Sequence, residues 1–177
     1  ELQKLVEAVI VLGELTPRIK ARIISKGELL SSIVIGHALT KSGIATCRLD
    51  ARRFIVTNDE YLQARPIIAE IESHTPAEIE SAFNSGCKAV ITQGFIGATS
   101  AGETSVLGRG GSDYSASLIG MAVSASAIEI WTDVDGVKTA DPRRVANTQS
   151  ISRISFEEAA EMAHFGAKVL HPLTIEP

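Results

Sequence analysis

A glycine-rich segment that carries a guanidinium, a hydroxyl and a carboxylate is the first candidate for chemistry in this sequence. It reads LGRGGSDY over residues 107–114 and leads directly into the apolar stretch 115–123. We expect Ser112 to be the N-cap of a helix, whose free N–H groups and dipole favour an anion. Arg109 could bind a carboxylate through two hydrogen bonds, with the acid Asp113 beside it. A bare glycine run would fit a simple turn equally well, so the three side chains favour a binding site.

The composition is that of an ordinary globular domain. The 177 residues are 45% hydrophobic and 21% charged, which is enough for one domain with a substantial core. A net charge of −4 gives no reason to expect nucleic-acid binding, and no apolar run is long enough to predict a membrane span. Cys47 and Cys87 each stand alone in an apolar run, so we expect buried reduced thiols rather than a disulfide or a metal-binding pair. Reduced thiols, and the absence of a signal-peptide pattern, predict a cytoplasmic protein.

Periodicity and capping residues predict five helices and three strands. Three helices are expected over residues 2–13, over 16–41 with a break near 25–27, and over 112–125. Two more are expected to begin at capping boxes, one running from Thr75–Glu78 to Gly86 and the other from Ser155–Glu158 to Gly166. The strands are expected over residues 44–49, 87–92 and 127–131, and a loop or hairpin over 97–108.

This alternation of strands and helices predicts an α/β fold with a mainly parallel sheet and helices on both faces. Ligands in such folds bind at the carboxyl ends of the strands, where the loops after Thr92 and Trp131 fall. Neither an internal repeat nor a linker is visible. We therefore expect residues 1–177 to belong to one domain.

Five motifs occur together in this chain. They are SKGELLS at 25–31, TQGFIG at 92–97, the glycine-rich segment, WTDVDG at 131–136 with DPR at 141–143, and FGAKVLHP at 165–172. In order and spacing they resemble the catalytic domain of aspartate kinases, within the amino-acid kinase family. The resemblance spans nearly the whole chain and implies a three-layer α/β/α sandwich.

The resemblance implies an aspartate site around the glycine-rich segment. Arg109 would bind a substrate carboxylate, with Ser112 hydrogen-bonding nearby. Glu28 would contact the ammonium group, Phe95 would shape the pocket wall, and Asp113 would act in catalysis by positioning groups rather than by removing a proton. Read locally, Glu28 also fits an exposed helix position and Phe95 a core position. The implied substrate-binding set is Glu28, Phe95, Arg109, Gly110, Gly111, Ser112 and Asp113.

The resemblance also implies a nucleotide site after Trp131. Thr132 and Asp133 would hold adenosine or its phosphates, and Arg143 would approach the phosphates. At Lys138 many relatives carry an aromatic residue, and the lysine stem could cover the base instead. From local sequence alone, this segment fits an ordinary surface loop with turn-forming aspartates.

Lys168 is the second implied catalytic residue. The resemblance assigns it to the ATP phosphates, and Val169 to the boundary of the nucleotide site. A fixed cation suits phosphoryl transfer, whose transition state spreads negative charge over the equatorial oxygens. Most lysines are simply solvated surface residues, which is the alternative from local sequence.

No protein metal site is expected. The four histidines lack metal-ligand spacing; His164 and His171, seven residues apart, do not match the i, i+4 pattern of a zinc-binding helix. The glycine-rich segment lacks the Gly-Lys-Ser/Thr ending of a P-loop.

Aspartate kinases begin with a strand and a Lys-Phe-Gly-Gly-Thr-Ser loop, and they end in ACT regulatory domains. Residues 1–177 contain neither. The resemblance therefore implies the central part of a kinase domain, incomplete at both ends and inactive by itself.

The activity implied for the full-length parent is ATP-dependent phosphorylation of the L-aspartate β-carboxylate to 4-phospho-L-aspartate, the first step of lysine, threonine and methionine synthesis. It implies L-aspartate and ATP with Mg²⁺ as ligands, and a homo-oligomer. Two alternatives stay open: a kinase of glutamate or acetylglutamate, and a non-catalytic binding fragment. Arg109, Glu28 and the TDVDG run favour aspartate.

Overall fold

Two helices joined by a short loop open the chain. In the computed structural model, which describes residues 1–132, 136–141, 143–164 and 174, α1 spans Leu2–Leu12 and α2 spans Pro17–Lys41. Gly13 ends α1 in the left-handed conformation, with φ 67°. The Thr16 hydroxyl accepts a hydrogen bond from the Ile19 N–H and caps α2. Both helices are confirmed.

The predicted break in α2 near residues 25–27 is wrong, because the helix continues through Gly27. Its buried face consists of small residues: Ala21, Ser25, Ser32 and Gly36. This face packs on the strands, and a Cβ atom at Gly36 would meet Ile91 Cγ2 at 3.3 Å. Packing along the whole length therefore outweighs the weak helix propensity of one glycine.

The described strands form two small sheets. β1 (Thr46–Arg48) pairs in parallel with β3 (Ala89–Ile91), with Cys47 opposite Val90. β2 (Val56–Thr57) pairs in parallel with β4 (Ile96–Thr99), which forms an antiparallel hairpin with β5 (Thr104–Val106). A 3₁₀ helix, Ala51–Arg53, lies between β1 and β2. The hairpin expected within 97–108 and the α/β fold class are confirmed.

Helix α3 begins earlier than the sequence predicts. It spans Ile68–Asn84 and contains Pro76, so Thr75 is an interior residue and not an N-cap. Ile71 and Thr75 are both fully buried, and their burial extends the helix over two turns that lack local capping signals. The predicted end is confirmed, since Gly86 follows the helix with φ 95°.

Helix α4 spans Gly111–Ala122, and its N-cap is Gly110 with φ 72°. The prediction that Ser112 caps this helix is therefore wrong, because the left-handed glycine already turns the chain two residues earlier. The predicted strand over 127–131 is also wrong: residues 127–131 do not form a strand, and the Trp131 side chain is 88% exposed.

Helix α5 spans Phe156–His164 and begins with the predicted capping box. The Ser155 hydroxyl accepts from the Glu158 N–H at 3.1 Å, and the Glu158 carboxylate accepts from the Ser155 N–H at 2.9 Å. Gly166, the expected end of the helix, lies outside the described residues.

The prediction of two separate reduced cysteines is wrong. Cys47 and Cys87 form a disulfide, with Cα atoms 5.7 Å apart. Cys47 lies opposite Val90 of β3, and the turn between α3 and β3 brings Cys87 beside it, a proximity that a separation of 40 residues conceals. The two cysteines therefore give no support to the predicted cytoplasmic location.

The core lies between the helices α2, α3 and α4 and the sheet formed by β2, β4 and β5. Its largest fully buried apolar side chains are Phe54, Ile55, Ile71, Ile96 and Leu118. In the described part of the chain no helix is both long and apolar enough to cross a membrane.

We predict that Gly97→Ala destabilises the domain by about 1–3 kcal/mol, the usual cost of overpacking. A Cβ atom there would lie 2.5 Å from the Ile55 carbonyl oxygen, which accepts a hydrogen bond from the Ala98 N–H. Gly27→Ala is the control, because a Cβ atom at this helical position has open space around it. That variant should gain about 0.5–1 kcal/mol. Urea unfolding gives both values, and equal midpoints for the two variants would contradict the packing described for Gly97.

Candidate active site

An open cavity of about 340 Å³ lies at the N-terminal end of α4. Three parts of the chain line it: α2, the turn that follows β3, and the glycine-rich segment. The lining residues are Glu28, Phe95, Gly108, Gly110, Gly111, Ser112 and Asp113. Six of these seven belong to the predicted substrate-binding set; Gly108, with φ 80°, was not anticipated. Only Arg109 of that set does not line the cavity. Its side chain is exposed on the loop between Gly108 and Gly110.

The first turn of α4 gives the cavity its character as an anion site. The N–H groups in the first turn of a helix lack intrahelical partners and carry the positive end of the helix dipole. Glu28 and Asp113 contribute carboxylates to the same cavity. Acids and a helix N-terminus together suit a small ligand that carries both an ammonium group and carboxylates.

Two backbone segments approach each other without intervening side chains to form the cavity wall. A Cβ atom at Gly94 would lie 3.0 Å from the Ser112 Cα, and one at Gly111 would lie 2.9 Å from Phe95 Cδ2. The glycines are therefore required by the contact between the two segments, in addition to any contact with a ligand.

Phe95 adopts a left-handed backbone conformation with φ 70°, which is rare for a bulky residue. Its N–H donates to the Ser115 hydroxyl at 2.9 Å and to the Gly111 carbonyl at 3.3 Å, while its carbonyl accepts from the Leu107 N–H at 2.9 Å. No sequence signal marks this conformation, since no glycine or asparagine occupies the position.

Gln93 supports the turn that carries Phe95 and was missed by the sequence analysis. Its side chain is 1% exposed. The amide oxygen accepts from the Ala51 N–H at 2.9 Å, and the amide nitrogen donates to the Ser32 hydroxyl at 2.7 Å and to the Leu49 carbonyl at 3.3 Å. One side chain thus connects the turn to α2 and to the segment after β1.

An ion pair lies next to this junction. Arg52 donates to the Asp50 carboxylate through Nη2 at 2.6 Å and Nε at 2.9 Å, and it also reaches the Thr104 hydroxyl of β5. These hydrogen bonds from Arg52 hold the pKa of the Asp50 carboxyl below its usual range.

Three of the six residues predicted for the nucleotide, Thr132, Lys138 and Arg143, are described, and they do not line this cavity. Thr132 and Arg143 are exposed, and Lys138 is half-buried, with a backbone bridge to Ser150. The Arg143 N–H donates to the Asp141 carboxylate at 2.9 Å. The remaining three predicted residues, Asp133, Lys168 and Val169, lie outside the described residues. Within the described ranges, no group of three or more His, Cys, Asp or Glu side chains could hold a metal ion.

Comparison with known proteins identifies the family. Residues 4–177 match the family described as "Amino acid kinase family". The chain belongs to the amino acid kinase family. It is 42% identical over 182 residues to lysine-sensitive aspartokinase 3 of Escherichia coli, covering 100% of this chain and 40% of that protein. It is 44% identical over 164 residues to the aspartokinase of Chlamydia trachomatis, covering 93% of this chain and 37% of that protein.

Solved structures agree with this assignment. Escherichia coli aspartokinase III in complex with aspartate and ADP, in the R-state, superposes with a TM-score of 0.88 at 40% identity, covering 99% of this chain and 40% of that chain. The T-state of that protein, with lysine and aspartate, gives a TM-score of 0.82. The resemblance to aspartate kinases is confirmed, and this amino acid kinase chain spans about two fifths of the length of these relatives.

We predict that Gln93→Ala lowers the free energy of unfolding by about 2–4 kcal/mol, because it leaves the buried Ala51 N–H unpaired and opens a void. The control is Gln3→Ala, at an exposed helix position where substitutions change stability by less than about 0.5 kcal/mol. Chemical unfolding monitored by circular dichroism measures both. A loss for Gln93→Ala no greater than that for Gln3→Ala would show that the buried hydrogen bonds contribute little.

We also predict a pH-dependent effect of Asp50→Asn. Because the folded pKa of Asp50 is lowered, its ion pair stabilises the protein above the unfolded pKa of about 4, and this contribution disappears as the pH falls through the folded value. At pH 7 the variant should lose about 0.5–1 kcal/mol, as expected for a partly exposed pair. The difference from wild type should shrink towards zero in acid. Unfolding curves from pH 7 to pH 2.5, with the exposed Asp59→Asn as control, test this; a constant difference would contradict it.

Proposed function

We propose that the protein containing this chain phosphorylates L-aspartate on its β-carboxylate, using ATP, to give 4-phospho-L-aspartate and ADP. The observation that carries the proposal is the cavity in which Glu28, Phe95, Asp113 and the first turn of α4 meet. Support comes from the relatives named aspartokinase and from the similar Escherichia coli structure that holds aspartate and ADP.

The cavity suits an aspartate ligand in chemical terms. Aspartate carries one ammonium group and two carboxylates, so its site needs acids and anion-binding groups close together. Glu28 would contact the ammonium group, the helix N-terminus would favour a carboxylate, and Phe95 forms part of the cavity wall. Arg109 would approach a substrate carboxylate from its exposed loop.

The reaction requires little proton chemistry from the protein. A carboxylate oxygen is already nucleophilic, so it attacks the γ-phosphorus without a strong general base. Asp113 would position the ammonium group and neighbouring cations. Catalysis then depends on alignment and on positive charge around the transferring phosphoryl group, which Lys168 would contribute in this proposal.

ATP would bind on the side of the segment after Trp131, through Thr132, Asp133, Lys138 and Arg143, with Val169 at its boundary. Mg²⁺ would supply further charge neutralisation on the phosphates. The described residues offer no acidic cluster for it, so we assign it no protein ligand. In this proposal residues 1–177 are the central part of the kinase domain, and the product enters lysine, threonine and methionine synthesis.

The proposal is tested by measuring ADP release by the full-length protein with L-aspartate, L-glutamate and N-acetyl-L-glutamate as acceptors, in ATP and Mg²⁺. Turnover with aspartate alone is expected. Preference for either other acceptor would reassign the protein within the family, and no turnover with any acceptor would favour a binding role.

We predict that Arg109→Ala raises the KM for aspartate by about 10–100-fold while the KM for ATP changes less than about threefold. A charged hydrogen bond between Arg109 and a carboxylate contributes about 1.5–3 kcal/mol. Steady-state kinetics with each substrate varied in turn measures both constants. Arg144→Ala removes another exposed arginine and is the control. An unchanged KM for aspartate would remove Arg109 from the substrate site.

A further inference from the structure

Ser115 connects the helix behind the cavity to the residue that forms the cavity wall. Its side chain is 1% exposed in α4. The hydroxyl donates to the Gly111 carbonyl at 2.8 Å and accepts from the Phe95 N–H at 2.9 Å. Ser115 does not line the cavity, so any effect on a ligand must pass through its two partners that do, Phe95 and Gly111.

Phe95 needs such a partner because its backbone is strained. A non-glycine residue in the left-handed region is held there only by surrounding contacts. Three hydrogen bonds hold the Phe95 backbone. Its N–H donates two of them, and the shorter of these two goes to the Ser115 hydroxyl. Without that hydroxyl, the N–H would retain only the 3.3 Å contact with Gly111.

The position of the Phe95 ring is sensitive to this backbone conformation. The ring edge lies close to Gly111, where even a Cβ atom would meet Cδ2 at 2.9 Å. Relaxation of φ towards negative values would move the ring relative to Gly111 and Asp113, and so change the shape of the cavity.

We propose that Ser115 is a positioning residue for the substrate: its hydroxyl holds Phe95 in the left-handed conformation and thereby fixes the wall of the aspartate pocket. This inference rests on the proposed function and adds to it a residue that does not line the cavity. We therefore expect Ser115 to affect the affinity for aspartate rather than the rate of phosphoryl transfer.

The test compares Ser115→Ala with Ser117→Ala in the full-length protein. Ser117 is a matched control, since it lies in the same helix, is also buried, and donates a hydrogen bond, to the Thr174 carbonyl. Ser115→Ala should raise the KM for aspartate about tenfold, the effect of about 1.4 kcal/mol, with kcat and the KM for ATP within threefold of wild type. Ser117→Ala should leave all three constants within threefold. Equal KM values for aspartate in the two variants would overturn the proposal.

A double-mutant cycle with Phe95→Ala separates positioning from general stability. If Ser115 acts through the ring, Ser115→Ala should raise the KM for aspartate less than twofold once the ring is absent. The same tenfold rise in the Phe95→Ala background would show that the hydroxyl acts by another route and would overturn the proposal.

Ser115→Thr and Ser115→Val provide a second comparison, which decides the matter if Ser115→Ala fails to fold. The two side chains have nearly the same shape and differ in the hydroxyl. The valine variant should have about a tenfold higher KM for aspartate than the threonine variant, and melting temperatures report any general loss of stability. Equal KM values for the pair would overturn the proposal. Absence of aspartate-dependent turnover in the wild type would instead contradict the proposed function.

Discussion

The close approach of two backbone turns is the constraint on which the candidate site depends. Gly94 lies against Ser112, and Gly111 lies against the ring of Phe95, at distances that leave no room for a β-carbon. Hydrogen bonds from the Phe95 N–H to Ser115 and from the Leu107 N–H to the Phe95 carbonyl hold the turns together. Any larger residue at the two glycines would separate the turns and open the cavity wall. The glycines are therefore structural requirements as well as ligand-facing positions.

A polar junction in the core, centred on the buried Gln93 side chain, lies next to this contact. Gln93 joins Ser32 of α2 to the Leu49 carbonyl and the Ala51 N–H, and all its described bonds are short enough to satisfy a buried amide. Glu28, which lines the cavity, lies one turn before Ser32 on α2, so the hydrogen bond from Gln93 holds α2 close to the position of Glu28. The small-residue face of α2 lets the helix approach the strands closely enough for this. The packing of α2 on the strands therefore also places Glu28 at the cavity.

Several features with local causes could be predicted from the sequence, whereas features with distant causes could not. The caps formed by Thr16 and by the Ser155–Glu158 box depend on neighbouring residues, and the structure contains both. Residues of the glycine-rich segment, a candidate binding site from the sequence, also line the cavity. By contrast, the Cys47–Cys87 disulfide depends on the pairing of strands far apart in the chain. The strain at Phe95 and the true start of α3 also follow from tertiary contacts, which propensity and periodicity do not contain.

The open side of the cavity has a consequence for the chemistry. The lining residues supply acids and a helix N-terminus, which suit the acceptor, whereas Lys138 and Arg143 lie outside that lining. In the proposed reaction, a phosphoryl donor would reach the acceptor carboxylate through the open side, and the donor would bring most of its own negative charge with it. Carboxylates in the cavity repel that charge, so they favour an acceptor whose ammonium group neutralises them first. In the proposed function, the cavity would select its acceptor by charge, and the ring of Phe95 would add selection by shape.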